Sequence, residues 1–193
     1  MSFYTLAKGV VGAILKPLFR MEVIGLEHFP KEGGVLLCAN HINNLDPPTV
    51  GITAPRPVSF MAKKELFHIP ILKHAIRNLH AFPVKRGLAD RSALRQGIKI
   101  LKNGQVLGLF PEGTRSKTGE LGKGLSGAGF FALKTDASVV PCAIIGPYRP
   151  FKKLKVVYGN PIDMTELREN KASAAEVTEV IMDAIQNLLE KYR

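Results

Sequence analysis

Short apolar runs alternate with stretches of helical periodicity along this chain, and the pattern leaves few folds open. The clearest run covers residues 35–39, follows two glycines and has the length and composition of a buried strand. Asp90 then precedes a helical stretch that extends to Lys102, and residues 105–110 form another apolar run. Strands that alternate with helices in this way are typical of a single α/β domain, with a largely parallel or mixed central sheet flanked by helices.

The same pattern predicts the remaining elements. Further strands are predicted at residues 21–25, 58–61, 81–84, 139–145 and 155–158. Further helices are predicted at residues 3–19, 69–79 and 126–135, in a short segment from Pro47, and after a capping box of Ser173 and Glu176. Sites of open α/β sheets lie beyond the carboxyl ends of strands. The candidate site therefore lies in the polar segments that follow three of the strands, at residues 40–46, 85–87 and 111–116.

The first of these segments contains a histidine and a carboxylate. His41 leaves the end of the predicted strand, and Asp46 follows across a turn with Asn43 and Asn44. Asparagine tolerates turn conformations, so the two side chains can meet. A carboxylate on one imidazole nitrogen fixes the tautomer and leaves the other nitrogen as a base near neutral pH. The residues alone leave a second interpretation open, in which His41 is an ordinary loop histidine and Asp46 only caps the helix from Pro47.

An arginine follows each of the other two strands. Arg86 precedes Gly87, and Arg115 lies in a segment with Glu112 and two hydroxyl side chains. Guanidinium groups bind phosphate oxygens in a bidentate manner, so two of them beside a histidine base favour a phosphorylated substrate. The alternative interpretation of each arginine is a solvated surface charge, because most arginines are exposed.

The chain is strongly basic and poor in cysteine. Its net charge of +11 predicts an anionic partner, which is a nucleic acid, a phosphate ligand or a membrane surface. Nucleic acid is disfavoured because the chain has no tryptophan and only 7% aromatic residues. Cys38 and Cys142 both lie in apolar runs, which predicts no disulfide framework and a reducing compartment. Neither the cysteines nor the histidines have the spacing of metal ligands, so no metal site is expected.

The apolar segment at residues 3–19 carries Lys8 and Lys16, so it is too short to span a bilayer. It also lacks the layout of a secretory signal. A helix docked on the domain and a helix lying in a membrane surface are both compatible with this segment. In a membrane surface, apolar side chains would enter the acyl region and basic ones would meet lipid phosphates. The apolar residues are Phe3, Leu6, Val10, Ile14 and Leu18, and the basic ones are Lys8, Lys16 and Arg20.

Two of the polar segments carry a family resemblance. Residues 40–46 match N-H-x-x-x-x-D, and residues 110–115 are F-P-E-G-T-R. On these motifs the chain resembles the glycerolipid acyltransferase family. Further blocks of that family are similar to residues 82–86 and 139–141. In the first of these two blocks, Lys85 stands where many members have an acidic residue.

The resemblance implies a glycerol-3-phosphate acyltransferase-like fold and direct acyl transfer. His41, oriented by Asp46, would take the proton from the sn-2 hydroxyl of lysophosphatidic acid. The alkoxide would attack the thioester of acyl-CoA or acyl-carrier protein, giving phosphatidic acid in phospholipid synthesis without a cofactor or a metal. The substrate-binding residues that the resemblance implies are Asn40, Arg86, Glu112, Gly113, Thr114 and Arg115.

A substrate whose acyl tail lies in lipid favours the membrane-surface interpretation of the N-terminal segment. Residues 1–20 are therefore predicted to be an amphipathic membrane-association helix, and residues 21–193 the acyltransferase domain. The protein is expected to be peripheral, on the cytoplasmic face of an anionic membrane. Acyl-carrier protein is a candidate partner, and nucleic acid is not expected to be one.

Three alternative functions stay open at this point. One is acyl transfer to another lysophospholipid or to a glycerol phosphate. Another is a non-enzymatic basic module that binds membranes, for which Lys152, Lys153 and Lys155 supply a basic rim. The third is an enzyme with a covalent nucleophile, but the chain has no G-x-S-x-G elbow and Cys38 lies within an apolar strand.

Overall fold

A seven-stranded mixed sheet organises the computed structural model, which describes residues 3–68, 76, 79–84 and 90–193. The strands are β1 (Glu22–Ile24), β2 (Val35–Ala39), β3 (Val58–Lys63), β4 (Phe82–Val84), β5 (Val106–Leu109), β6 (Ser138–Ile145) and β7 (Lys155–Tyr158). The described α-helices are α1 (Phe3–Leu18), α2 (Asp46–Thr53), α3 (Arg91–Lys102), α4 (Gly127–Lys134), α5 (Thr165–Glu169) and α6 (Ala174–Tyr192). Short 3-10 helices cover Leu26–His28 and Lys64–His68.

The strand order is β1-β7-β6-β2-β5-β3-β4. The strands from β6 to β4 in this order are parallel to one another, whereas β7 returns antiparallel to β6 and pairs in parallel with β1. The carboxyl ends of the three adjacent strands β6, β2 and β5 therefore meet at one edge of the sheet. We call this edge the site edge. The predicted α/β class and mixed sheet are confirmed.

Strand β2 lies at the centre of the sheet and is buried on both faces. Leu36 and Cys38 pack into one core cluster, and Val35, Leu37 and Ala39 pack into the other. Alternate side chains of a strand point to opposite faces, so an entirely apolar run is required where helices cover both faces. Side chains of α3, α4 and α6 belong to the first cluster, and side chains of α2 belong to the second.

All seven predicted strands are present, and β2 and β7 have the predicted bounds. The caps are also confirmed, since Asp90 accepts hydrogen bonds from the N–H groups of Ser92 and Ala93, and Ser173 and Glu176 form the predicted capping box. The predicted helix at residues 69–79 lies almost entirely outside the described residues. Helix α5 was not predicted, because five residues are too few to show a helical period.

One face of α1 docks on the domain. The Tyr4 hydroxyl accepts a hydrogen bond from the Val58 N–H at 3.0 Å. The Lys8 ammonium, half-buried beside Tyr4, donates to the carbonyl of Ala54 just after α2. Desolvation, and then the charge of Lys16, lower the pKa of Lys8. The prediction that Lys8 meets lipid phosphates is therefore corrected, because its ammonium group forms a hydrogen bond on the docked face.

The opposite face of α1 is an exposed apolar stripe. Phe3, Leu6, Val10 and Ile14 are each more than half exposed, at spacings of three or four residues. Leu18, also predicted to face lipid, instead packs against the core. None of the described helices is long and apolar enough to cross a membrane. The docked interpretation is therefore confirmed for one face of this helix, and the opposite face carries the apolar stripe.

Candidate active site

The site is built around a histidine–carboxylate pair at the end of β2. His41 Nδ1 lies 2.7 Å from Asp46 Oδ2. Asp46 is fully buried, and His41 retains only a small exposed surface. The His41 ring stacks on Phe110, with 4.2 Å between the ring centroids, and Nε2 makes no hydrogen bond to any described residue. The pair therefore has the geometry of an oriented imidazole base with one nitrogen available to a substrate.

Asp46 is not the helix cap that one interpretation of the sequence proposed. It is the first residue of α2, with Leu45 before it, and its carboxylate is directed back toward the preceding turn. Asp46 Oδ2 accepts the Ile42 N–H at 2.6 Å and the Asn43 N–H at 2.7 Å, in addition to the histidine. Asn43 closes the turn by accepting the Leu45 N–H at 3.1 Å. The tight asparagine turn that the sequence predicts brings the pair together.

The second oxygen of Asp46 is held by Tyr148, a residue that the sequence analysis missed. The Tyr148 hydroxyl donates to Asp46 Oδ1 at 2.7 Å, and its oxygen lies 3.1 Å from Thr49 Oγ1. Burial, followed by the Asp46 charge, raises the pKa of Tyr148, so the hydroxyl remains a donor. Tyr148 comes three residues after β6, and its position beyond a strand end at the site edge was the one available signal.

Asn40 lies at the site, but its side chain joins two strands. Its amide group donates to the Ile144 carbonyl at 3.0 Å and accepts the Ile144 N–H at 2.7 Å. This pair of buried hydrogen bonds fixes the end of β2 against β6. In this structure Asn40 therefore positions His41, which follows it directly.

Glu112 connects the segment after β5 to the histidine. Glu112 Oε1 accepts the His41 N–H at 2.7 Å, and Oε2 accepts the Gly122 N–H at 2.9 Å. A Cβ atom at position 122 would lie 2.9 Å from that same oxygen, which accounts for the glycine. Gly113 adopts a positive φ of 67°, which lets the chain turn directly after Glu112. Glu112 thus joins the start of the loop at residues 112–122 to its end at Gly122, and it joins both to the backbone of His41.

The remaining predicted site residues differ in how far the structure describes them. Thr114 and Arg115 are exposed, and the next residue, Ser116, donates its N–H to the His41 carbonyl at 2.8 Å. Arg115 therefore begins close to His41, and its guanidinium makes no hydrogen bond or ion pair with the described residues. Arg86, the second predicted phosphate ligand, lies outside the described residues.

The two cysteines are unsuited to nucleophilic catalysis. Cys38 is completely buried in β2, and burial raises its pKa to about 12. Burial also raises the pKa of Cys142, with the Asp46 charge as a second cause. Thiolates rather than thiols act as nucleophiles, so neither side chain is competent. Within the described ranges no cluster of three metal-ligating side chains occurs.

Comparison with known proteins agrees with this geometry. The family model described as Acyltransferase matches residues 20–145. The 1-acyl-sn-glycerol-3-phosphate acyltransferase of Bacillus subtilis (strain 168) is 31% identical over 196 residues, which cover 97% of this chain and 98% of that protein. The 1-acyl-sn-glycerol-3-phosphate acyltransferase of Borreliella burgdorferi is 30% identical, over 89% of this chain and 72% of that protein.

A solved structure supports the same relationship. The crystal structure of the 1-acyl-sn-glycerophosphate acyltransferase PlsC from Thermotoga maritima matches with a TM-score of 0.79 and 26% identity, over 98% of this chain and 80% of that one. The predicted fold is therefore confirmed at the level of the family. The residues matched by the family model include both His41 and Asp46, and also the segment that carries Glu112 and Arg115. The chain belongs to the acyltransferase family and is an acyltransferase.

Proposed function

We propose that this acyltransferase transfers a fatty acyl group from an acyl thioester to the sn-2 hydroxyl of 1-acylglycerol-3-phosphate, giving phosphatidic acid in phospholipid synthesis. The observation that carries the proposal is the buried His41–Asp46 pair, which has a free imidazole nitrogen and whose His41 carbonyl bonds to the residue after Arg115. The relatives from B. subtilis and B. burgdorferi are named 1-acyl-sn-glycerol-3-phosphate acyltransferases, which points to the same acceptor. Acyl-CoA and acyl-carrier protein are both candidate donors.

In the proposed mechanism, His41 Nε2 removes the proton of the sn-2 hydroxyl as the oxygen attacks the thioester carbonyl. The Asp46 carboxylate, 2.7 Å from Nδ1, stabilises the imidazolium that forms. The C–S bond then breaks, and the imidazolium returns the proton to the departing thiolate. The thioester is already activated, so the acyl group passes directly between the two substrates.

A colorimetric assay for thiol release tests this function. Release from an acyl thioester should depend strictly on lysophosphatidic acid, because the base acts on the hydroxyl of the acceptor. Glycerol 3-phosphate and lysophosphatidylcholine, tested as alternative acceptors, separate the proposed activity from transfer to other headgroups. Equal thiol release with and without any acceptor would contradict direct transfer and indicate hydrolysis.

Arg115 is proposed to bind the phosphate of the acceptor. In Arg115→Ala the Michaelis constant for lysophosphatidic acid should rise on the order of tenfold to a hundredfold, through loss of charge-assisted hydrogen bonds. With a phosphate-free monoacylglycerol as the acceptor, the rate of transfer by Arg115→Ala should be close to that of the wild type. Steady-state kinetics with both acceptors measures this difference.

Lys117→Ala is the matched control for the Arg115 variant. Lys117 is an exposed cation two residues along the same loop, so its loss changes the local charge equally. An equal rise of the Michaelis constant in both variants would show a general effect of loop charge. It would remove Arg115 from the proposed phosphate site.

The enzyme is further proposed to lie on the cytoplasmic face of an anionic membrane, with the exposed stripe of α1 in the acyl region. Four large apolar side chains on one helix face form a larger apolar surface than scattered single residues do. Lys16 and Arg20 are exposed near the end of the helix and are available to lipid phosphates. The chain has only two cysteines, both in apolar runs, which supports the proposed reducing compartment.

Replacement of Leu6, Val10 and Ile14 together by glutamine should weaken binding to anionic vesicles on the order of tenfold or more, because the inserted apolar area is lost. The stripe is a better target than deletion of residues 1–20, since deletion would also remove the docked face with Tyr4. Vesicle flotation measures the effect, and Leu26→Gln removes an exposed leucine elsewhere as a control. Equal flotation of the triple variant and the wild type would show that α1 is only docked.

A further inference from the structure

The loop at residues 147–153, between β6 and β7, carries an unusually exposed aromatic side chain. Phe151 is 71% exposed, more than any of the other exposed large apolar residues described. Its φ is +62°, a conformation that bulky residues rarely adopt. The Phe151 N–H donates to the Leu18 carbonyl at 2.6 Å, so the end of α1 helps to hold this backbone in place. The loop is therefore built to present the ring outward.

Basic side chains surround this ring. Arg149 and Lys152 flank Phe151 in the loop and are exposed, and Arg20 is exposed beside the end of α1. None of these three forms an ion pair with a described residue, whereas Lys153 is paired with Glu22 at 2.9 Å. An apolar tip among unpaired cations has the chemistry of a contact with anionic headgroups and the apolar layer beneath them.

The loop is continuous with the apolar stripe of α1 and with the site edge. Pro17 extends the exposed side of α1 to the end of the helix. There the Leu18 carbonyl accepts the hydrogen bond from the Phe151 N–H. The loop itself begins just after the carboxyl end of β6, and its Tyr148 reaches Asp46. The exposed ring, the helix end and the catalytic pair therefore share one side of the molecule.

We propose that residues 147–153 form a second membrane contact, in which Phe151 enters an anionic bilayer and Arg149 and Lys152 bind its headgroups. The proposal rests on the proposed function, since it places the site edge against the lipid that holds the acyl tail of the acceptor. Together with α1, the loop provides two points of attachment. Two points restrict the tilt of the site edge against the bilayer more than the inserted stripe of α1 does alone.

A single tryptophan tests the proposal directly. The chain has no tryptophan, so Phe151→Trp places the only indole at the tip of the loop. With vesicles that contain anionic lipid, its fluorescence should shift to shorter wavelength and be quenched by brominated acyl chains. Leu26→Trp is the control. Leu26 follows the carboxyl end of β1, which lies at the end of the sheet opposite the site edge, so the spectrum of this variant should not change.

Phe151→Asn tests the energetic contribution of the ring. Asparagine tolerates a positive φ, so the loop is expected to keep its conformation without the aromatic side chain. Vesicle partitioning should weaken about tenfold, as expected for one inserted aromatic residue. Activity on lysophosphatidic acid in vesicles should fall in parallel, whereas activity on detergent-dispersed substrate should stay unchanged.

An unchanged Phe151→Trp spectrum on vesicles that bind the protein would overturn the proposal, and so would wild-type partitioning of Phe151→Asn. A spectral shift produced by acyl-carrier protein without lipid, and absent with vesicles, would assign the loop to a carrier protein instead. Acceptor-dependent thiol release in detergent is measured on the same preparations. That assay tests the proposed acyl transfer independently of membrane contact.

Discussion

His41→Ala should lower kcat by about four orders of magnitude, the upper end of what a positioned general base contributes. The expected cause is the loss of Nε2, which makes no hydrogen bond to the described protein and is available to the acceptor hydroxyl. The fold should survive, because the histidine lies at the end of β2 and its backbone bonds to Glu112 and Ser116 do not need the ring. Thiol release at saturating acceptor, with circular dichroism as a check of folding, measures both.

His28→Ala is the matched control for this variant. His28 is also partly buried and bonded, through Nδ1, to the carbonyl of Tyr158 at 3.1 Å, but it lies at the opposite edge of the sheet. Its replacement should leave kcat within a few-fold of the wild type. Substantial turnover by a folded His41→Ala protein would contradict the proposed mechanism, because no other described side chain pairs with Asp46 as an imidazole base.

Asp46→Asn should lower kcat by about three orders of magnitude with little change in the Michaelis constant for the acceptor. The amide oxygen can take the place of Oδ2. It can accept the ring Nδ1–H of His41 and the backbone N–H groups of Ile42 and Asn43. The amide nitrogen then faces Tyr148, whose hydroxyl can turn to donate to Thr49. The geometry is thereby preserved, and the lost quantity is the negative charge that stabilises the imidazolium.

Tyr148→Phe separates charge from position. It removes one hydrogen bond to Asp46 but leaves the carboxylate charged, so kcat should fall much less than in Asp46→Asn. Steady-state kinetics and thermal unfolding of the two variants should be compared. A kcat near that of the wild type in a folded Asp46→Asn protein would show that the charge is not used in the reaction.

Local sequence patterns predicted the parts of the site that lie close together along the chain. The run at 35–39, the asparagine turn and the spacing of His41 and Asp46 are all contained within one short segment. Tyr148 escaped prediction because its contact with Asp46 joins residues 102 positions apart, and strand order decides that they meet. The sequence places Tyr148 just beyond a predicted strand, but without the pairing of β6 and β2 it does not identify Asp46 as the neighbour of Tyr148.

The roles of Glu112 and Lys8 were harder to predict for different reasons. The resemblance implied substrate binding for Glu112, whereas the structure shows its carboxylate occupied by two backbone N–H groups. Lys8 shares a helix face with Tyr4 and Gly12, at spacings of four, and both of those residues are buried. Periodicity groups Lys8 with these two residues, but only the structure shows that they form the docked face, and the charge of Lys8 favoured the lipid interpretation.

The carboxylate of Glu112 also couples two local motions. Because one side chain holds both the His41 N–H and the Gly122 N–H, an outward movement of the loop breaks at least one of these two hydrogen bonds. A local opening that admits bulk water between the loop and β2 is thus expected to weaken the support of the His41 backbone. In the proposed reaction, a water molecule that enters in this way would meet the thioester when His41 is held less firmly. If the proposed mechanism holds, this coupling is expected to disfavour hydrolysis of the thioester.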